Sequence, residues 1–245
     1  MPMTSAQIVT IATQIAKAAG MTSQAGQLLN TILSELCQTY DFELARKTTV
    51  FNFTGTSGPY SLPSDFLRVR KGDVFYTYLG VPYFPTPVQL EEYDSYVTQA
   101  GLNDFPRRVT VDMNPSVGVG QIAVAPQMFF WPPPSFVAPV TVRYYAQMPD
   151  INQPELSTNI PWFPNQTYLI QRLAGQMMMI TDDTRAAEFL TDKEEQNPQG
   201  AGVVLRKYLQ MKDDPEGKIN TVELDRRRFG TNNWNMLKNT KNIGW

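Results

Sequence analysis

The sequence contains no histidine and only one cysteine, Cys37, among its 245 residues. Without histidine the chain lacks the commonest general base near neutral pH and the commonest zinc ligand. Metal sites built from cysteine and histidine are excluded, and one cysteine cannot form a disulfide within the chain. These absences argue against an enzyme, and the lone cysteine favours a reducing compartment.

Charge is also scarce, because charged residues make up 18% of the chain against a usual share of about 25%. The net charge of -2 gives no general indication of nucleic-acid or membrane binding. The chain has no apolar run of about 18 residues, which a spanning helix needs, and its first residues, MPMTSAQIVT, do not resemble a signal peptide. We therefore expect no membrane association, and a surface that partner proteins largely cover.

Adjacent acidic residues are the strongest candidates for carboxylate chemistry. Neighbouring carboxylates on a helix point in different directions, so they do not converge on one substrate atom. A glycosidase-like pair of carboxyls across a cleft stays open at this point. No nucleophile or phosphate-binding motif occurs, so we predict no catalytic, cofactor-binding or metal-binding residue. The acidic pairs are Glu91-Glu92, Asp182-Asp183, Glu194-Glu195 and Asp213-Asp214.

Apolar residues at helical spacing predict two N-terminal helices, at residues 4–19 and 23–45. Thr4 or Ser5 can cap the first helix, and Gly20 can end it. The short connection between them predicts a helical hairpin over residues 1–46.

Residues 47–150 are rich in Val, Phe, Tyr, Thr and Pro, and they predict an antiparallel β-domain, a sandwich or a small barrel. Turns are expected at Lys71-Gly72 and Leu79-Gly80, and a helical insert, QLEEYDSYVTQAG, is expected to end at Gly101. The predicted strands lie in TTVFNFTG, DFLRVRKGDVFYTYLGVPYFPTPVQL, RRVTVDM, GQIAVAP, MFFWPPP and APVTVRYYAQ.

Helical spacing returns in residues 151–217, with helices predicted at 165–190 and 201–211. The stretch TDDTRAAEFLTDKEEQN is expected to supply capping residues and then another helical segment. We expect these helices to pack with the N-terminal hairpin as one helical layer. The predicted fold class is therefore α+β, with the β-domain inserted between two helical segments.

The run QMMMITDD within this region places three methionines in a row. Three consecutive helical residues span about 200°, so at least one of them points away from the main core. A methionine patch can be an adaptable binding face, although a core position is the commoner reading. The candidate inter-subunit residues are Met177, Met178, Met179, Arg172 and Arg185.

Residues 218–245 form the last predicted segment, an extended arm. Six basic and two acidic residues give it a charge of +4, so the rest of the chain carries -6 of the total -2. A merely disordered tail would be expected to lack aromatic residues. We predict that this arm becomes ordered on a partner. Its candidate docking residues are Arg226, Arg227, Arg228, Phe229, Trp234, Leu237 and Trp245.

The stretch GPYSLPSDFLRVRKG and several later motifs resemble the head-to-tail adaptor (connector, or head-completion) proteins of short-tailed bacteriophages. The resemblance covers about residues 4–210 in the order of the elements. It rests on Tyr60, Leu62, Pro63, Asp65, Phe66, Leu67 and Arg68, then on Pro87, Leu90 and Tyr93, on Tyr144, Tyr145 and Pro149, on Ile160-Pro161, and on Asp183, Arg185 and Ala186.

The resemblance implies a structural protein of the virion, assembled in the host bacterial cytoplasm. Such adaptors form a ring, typically of twelve copies, beneath the portal protein, with the C-terminal arm lying against the portal. It implies that the β-domain points to tail nozzle or tail fibre proteins, with Tyr76, Tyr78, Tyr83 and Phe84 as candidate contacts. DNA would pass through the central channel without sequence-specific binding. No cofactor is implied. We interpret Asp65 and Arg68 as turn-fixing or neighbour-contacting groups at the junction between the helical layer and the β-domain.

Two other functions stay open on the sequence. The aromatic residues of the β-domain and the many acidic residues would also suit a cell-wall hydrolase or a carbohydrate-binding module of a phage tail. A tail nozzle component is the other alternative, although the two N-terminal helices argue against it.

Overall fold

The computed structural model describes residues 2–55, 58–70, 72–98, 104–113 and 125–213. They form an α+β fold of helices and mainly antiparallel sheets, which confirms the predicted class. The helices are α1 (Ser5–Ile15), α2 (Thr22–Thr39), α3 (Leu90–Val97), α4 (Gln166–Ile180), α5 (Ala186–Leu190) and α6 (Ala201–Asp213). The strands are β1 (Arg46–Asn52), β2 (Tyr60–Ser61), β3 (Phe66–Arg68), β4 (Val74–Tyr78), β5 (Val81–Tyr83), β6 (Thr86–Pro87), β7 (Arg108–Asp112), β8 (Gln127–Trp131) and β9 (Pro139–Ala146).

The described residues divide into two compact units. Within the described ranges, one unit draws on residues 2–29 and 153–213, and the other on residues 30–152. We refer to them as the helical unit and the β-unit. Helix α2 contributes residues to both.

Helix α1 begins at a capping box in which Thr4 and Gln7 satisfy each other's backbone amides. The Thr4 hydroxyl accepts from the Gln7 amide at 3.3 Å, and the Gln7 side-chain oxygen accepts from the Thr4 amide at 2.9 Å. The helix ends at Ile15, earlier than predicted, because Lys17 takes a left-handed conformation with φ of 55°. Lys17, and not Gly20, therefore terminates α1. The helix then packs against α4.

The predicted helix at 165–190 is two helices. Asn165 caps α4 by accepting a hydrogen bond from the Tyr168 amide at 3.0 Å. The helix stops at Ile180, and Asp182 adopts a φ of 55° before α5 begins. A left-handed residue cannot continue a right-handed helix, so the chain turns here.

The β-unit contains two sheets. The first has the order β1-β9-β4-β5, with β3 also paired to β9, and the second has the order β2-β8-β7-β6. All pairings are antiparallel except that of β6 with β7. The predicted turn at Leu79-Gly80 joins β4 to β5, with φ of 49° and 80° at its two residues. Most of the predicted strand GQIAVAP lies outside the described residues. The predicted helix end at Gly101 also lies outside them.

Aromatic side chains from both sheets fill the core of the β-unit. Phe53 packs edge-on against Phe130 with ring centroids 4.9 Å apart, and against Tyr76 at 5.2 Å. Buried residues of β2, β7 and β8 share one cluster with those of β4 and β9. The two sheets therefore enclose a common core, as a sandwich does.

Candidate functional site

The motif stretch at residues 58–70 meets the end of helix α2 inside the β-unit. The Arg68 guanidinium donates to three backbone carbonyls there, those of Gln38 at 2.8 Å, Cys37 at 3.0 Å and Tyr40 at 2.9 Å. The last carbonyls of a helix have no partner within the helix and carry partial negative charge. Arg68 therefore caps α2, which explains why the helix stops at Thr39 and does not continue to residue 45.

Asp41 holds this cap in place. Its carboxylate accepts from Arg68 Nε at 2.6 Å and from Arg70 Nε at 2.7 Å. Both guanidinium groups also lie over the ring of Tyr145, at 5.8 and 5.3 Å. Burial alone would raise the pKa of Asp41, but the hydrogen bonds from Arg68 and Arg70 outweigh it and hold this pKa below its usual value. Asp41 is therefore a charged structural group.

Asp65 fixes the turn between β2 and β3. Its carboxylate accepts from Lys47 Nζ at 2.6 Å and from the Tyr144 hydroxyl at 3.0 Å, while its carbonyl accepts from the Gln147 amide at 2.7 Å. The pKa of Asp65 is lowered because these hydrogen bonds outweigh its burial. Burial, and then the bond to Asp65, raise the pKa of Tyr144 to about 12. The contacts agree with the interpretation of Asp65 as a turn-fixing group.

The ion pair between Arg46 and Asp73, also in the β-unit, was not foreseen from the sequence. Arg46 Nη2 lies 2.6 Å from Asp73 Oδ1, and the Asp73 residue is 7% exposed. Arg46 and Asp73 are separated by 27 positions, and so are Arg68 and Asp41. Nothing in the local sequence pairs such residues, because they meet only when the strands take their places in the sheet.

The three methionines proposed as neighbour contacts differ in exposure. Met177 and Met178 are 0% exposed inside the helical unit, whereas Met179 is 63% exposed. The interpretation as core residues therefore applies to Met177 and Met178. A contact with a neighbouring copy would have to use Met179.

The two arginines proposed with them also differ. Arg185 is bound by Asp183, with Nη2 2.6 Å from Oδ2, and the Asp183 carboxylate also accepts from the Arg185 amide at 3.0 Å. This arrangement turns the chain into α5. Arg172 is half-buried on α4. The docking residues of the predicted arm, Arg226, Arg227, Arg228, Phe229, Trp234, Leu237 and Trp245, lie outside the described residues.

The four aromatic residues predicted to face the tail do not share one surface. Tyr76 is 1% exposed, and its hydroxyl donates to the Pro106 carbonyl at 3.1 Å. It is a core residue, which corrects its reading as a surface aromatic. Tyr78 and Tyr83 are half-buried, and Phe84 is 60% exposed. The sequence VFYTY is apolar or aromatic at nearly every position, so alternation alone could not indicate which face of β4 is buried.

Among the motif residues, Asp65, Arg68 and Arg185 make hydrogen bonds within the chain. Within the described ranges, no group of three or more cysteine, aspartate or glutamate residues could hold a metal ion. In the same part of the chain, no helix is long and apolar enough to cross a membrane. The described residues thus define an α+β protein whose charged motif groups are used for internal hydrogen bonds.

A family model, that of the SU10 adaptor protein, matches residues 3–211. The chain belongs to this family. It is therefore a bacteriophage adaptor, a structural component of the virion that interacts with other virion proteins. No curated protein matches the chain.

Proposed function

We propose that the chain forms a ring beneath the portal protein and connects it to the tail. The family match over residues 3–211 is the observation that carries this proposal. The low share of charged residues supports it, because subunits of a ring cover much of each other's surface. Twelve copies is the number we propose, and DNA passes through the ring without sequence-specific contacts.

The C-terminal arm, residues 218–245, docks onto the portal. Its charge of +4 contrasts with -6 for the rest of the chain, so an acidic partner surface would attract the arm and repel the body. Its two tryptophans and Phe229 can supply anchoring side chains of the kind that dominate interfaces. Twelve arms on one ring would add their weak contacts into strong binding.

The β-unit faces the tail nozzle or tail fibre proteins. Phe84 supports this assignment because it is 60% exposed. Its ring centroid lies 5.6 Å from that of Phe75, and both residues belong to a part of the chain without charge. Residues 74–90 contain no charged side chain. Residues 79–82 and 84 are exposed within this stretch, and exposed uncharged residues of this kind are typical of a protein-binding surface.

Purified portal protein tests the arm. A chain cut after Gly217 should keep its fold, checked by circular dichroism, and lose portal binding in co-sedimentation. Changing Arg226, Arg227 and Arg228 together to alanine should weaken binding strongly, whereas changing Lys218, Lys238 and Lys241 together to alanine removes the same charge and serves as the matched control. Normal portal binding by the truncated chain would contradict the role of the arm. Imaging of the assembled particle gives the position and the copy number.

We also propose that the protein is not an enzyme. Of the candidate carboxylates, Asp183 is bound by Arg185, and Glu194 by Lys207 with Nζ 2.6 Å from Oε1. A turbidity assay on purified bacterial cell walls should show no clearing beyond that of buffer. Clearing that disappears on substitution of one carboxylate would establish the hydrolase alternative.

A further inference from the structure

The last turn of helix α4 is apolar on every side. Consecutive helical residues are rotated by about 100°, so the four residues from Met177 to Ile180 point around the whole helix. Met177 and Met178 are 0% exposed, whereas Met179 and Ile180 are 63% and 54% exposed. A helix that is apolar all round is expected to be covered all round. We name Met179 and Ile180 the α4 knob.

The outer side of helix α1 holds a groove with a volume of 590 Å³. Residues 2–16 contain no charged side chain, although the outward face of an exposed helix normally carries charge. A volume of this size can accommodate several side chains. The α1 groove is lined by Pro2, Met3, Thr4, Ala6, Gln7, Thr10 and Ile11.

Further apolar surface adjoins the first turn of α1. The Ser5 amide donates to the Asn159 carbonyl at 2.9 Å, and the Ala6 amide donates to the Ser157 carbonyl at 3.2 Å. These bonds hold residues 157–159 against the start of α1. The neighbouring residues Leu156 and Ile160 are 72% and 55% exposed. Leu156 and Ile160 therefore add exposed apolar surface beside the α1 groove.

The α4 knob and the α1 groove are separate surfaces of the helical unit. Met179 and Ile180 are 63% and 54% exposed, and neither of them lines the groove. The groove lies along the N-terminal part of α1, from Pro2 to Ile11. A chain therefore does not fill its own groove with its own knob.

We propose that the α4 knob of one copy enters the α1 groove of the next copy. The proposal rests on the ring under Proposed function and names the surfaces that would build it. A ring of identical subunits needs two different patches that fit each other, one on each side of the subunit. The chain carries an apolar projection and an apolar groove at different places on one unit. Both are uncharged, so their contact removes no ion from water.

Cross-linking between copies tests this contact. The variant with both Thr10→Cys and Met179→Cys should form a ladder of covalent oligomers under mild oxidation. A mixture of the two single variants should stop at dimers, and each single variant alone should give none. The unaltered chain is the control for Cys37, which is buried and whose thiol has a raised pKa because of its burial.

The sample for this experiment is the oligomer isolated by size-exclusion chromatography, either alone or bound to purified portal. An oligomer that forms no cross-link with the double variant would overturn the knob-in-groove contact and leave the proposed ring intact. Dimers from one single variant alone would indicate a symmetric contact and would also overturn it. A chain that stays monomeric in both samples would contradict the ring itself, and with it this inference.

A charge placed on the α4 knob gives a second readout. Met179→Glu should leave the thermal unfolding transition unchanged, because the side chain is exposed, and should reduce the oligomer fraction at least tenfold. Gln14→Glu places the same charge on an exposed position of α1 outside the groove, and it should leave the oligomer fraction unchanged. Equal effects of the two variants would contradict the proposal.

Discussion

Arg68 and Asp41 are joined by a hydrogen bond of 2.6 Å between Nε and Oδ1, across 27 positions of the sequence. The same guanidinium donates to three carbonyls at the end of α2. One side chain thus ends a helix and ties it to strand β3. The stretch GPYSLPSDFLRVRKG, which carries the resemblance described above, is a structural junction in this chain.

Replacing Arg68 by lysine should lower the free energy of unfolding by about 1–3 kcal/mol, because lysine cannot reproduce the planar fork of donors. Arg70→Lys is the control, since Arg70 binds the same carboxylate but its side chain is 57% exposed. Its effect should stay within about 0.5 kcal/mol. Urea denaturation of both variants measures the difference. Equal losses in the free energy of unfolding would show that the hydrogen bonds from Arg68 to the three carbonyls contribute little to stability.

Acid should destabilise the β-unit through Asp41 and Asp65. Both carboxyls have a pKa below their usual value in the folded chain, because the hydrogen bonds that they accept outweigh their burial. The stability that they contribute is present above the ordinary aspartate pKa of about 3.9 and is lost as the pH falls through the folded-state values. Denaturation curves from pH 6 to about pH 2 should therefore show a falling free energy of unfolding.

Asp65→Asn should flatten that fall, because the variant has one fewer titrating group with a lowered pKa. Asp94→Asn, on the exposed side of α3, is the matched control and should leave the slope as it is. A slope that Asp65→Asn does not change would contradict the role assigned to Asp65.

Gly202 allows the start of α6 to approach the chain at Asp192. A Cβ atom at Gly202 would lie 2.9 Å from the Asp192 Cα atom, which is backbone and cannot rotate away. Gly202→Ala should therefore destabilise the chain by about 1–3 kcal/mol, as overpacking does. Gly20→Ala is the control, because a Cβ there would meet nothing within 4 Å. Thermal unfolding of the two variants should separate them clearly, and a Gly202→Ala variant as stable as Gly20→Ala would show that the backbone adjusts.

The parts of the fold that could be predicted are those that depend on residues close together in the sequence. The capping residue Thr4, the Leu79-Gly80 turn and helix α6 each follow from a few neighbouring residues. The end of α2 could not be predicted, because it is set by Arg68, which lies far along the chain. The break after Ile180 depends on a left-handed Asp182, which local helix propensity does not reveal. The prediction that Tyr76 lies on the surface was wrong because the neighbouring residues of β4 are as apolar as Tyr76, so no alternation marks the buried face.

Leu79, at the tip of the β4–β5 hairpin, has two features that lower the stability of the fold. Its φ is 49°, a conformation that favours glycine or asparagine, and its side chain is 86% exposed. Leu79→Asn should therefore raise the free energy of unfolding by about 0.5–1 kcal/mol, because asparagine with the following glycine suits this turn. Chemical denaturation measures the gain, with Val81→Asn on the adjoining strand as a control that should give none. A loss of stability in Leu79→Asn would show that the side chain packs usefully within its own chain. A gain accompanied by weaker binding to purified tail proteins would indicate that the leucine is kept at this tip for contact with a partner.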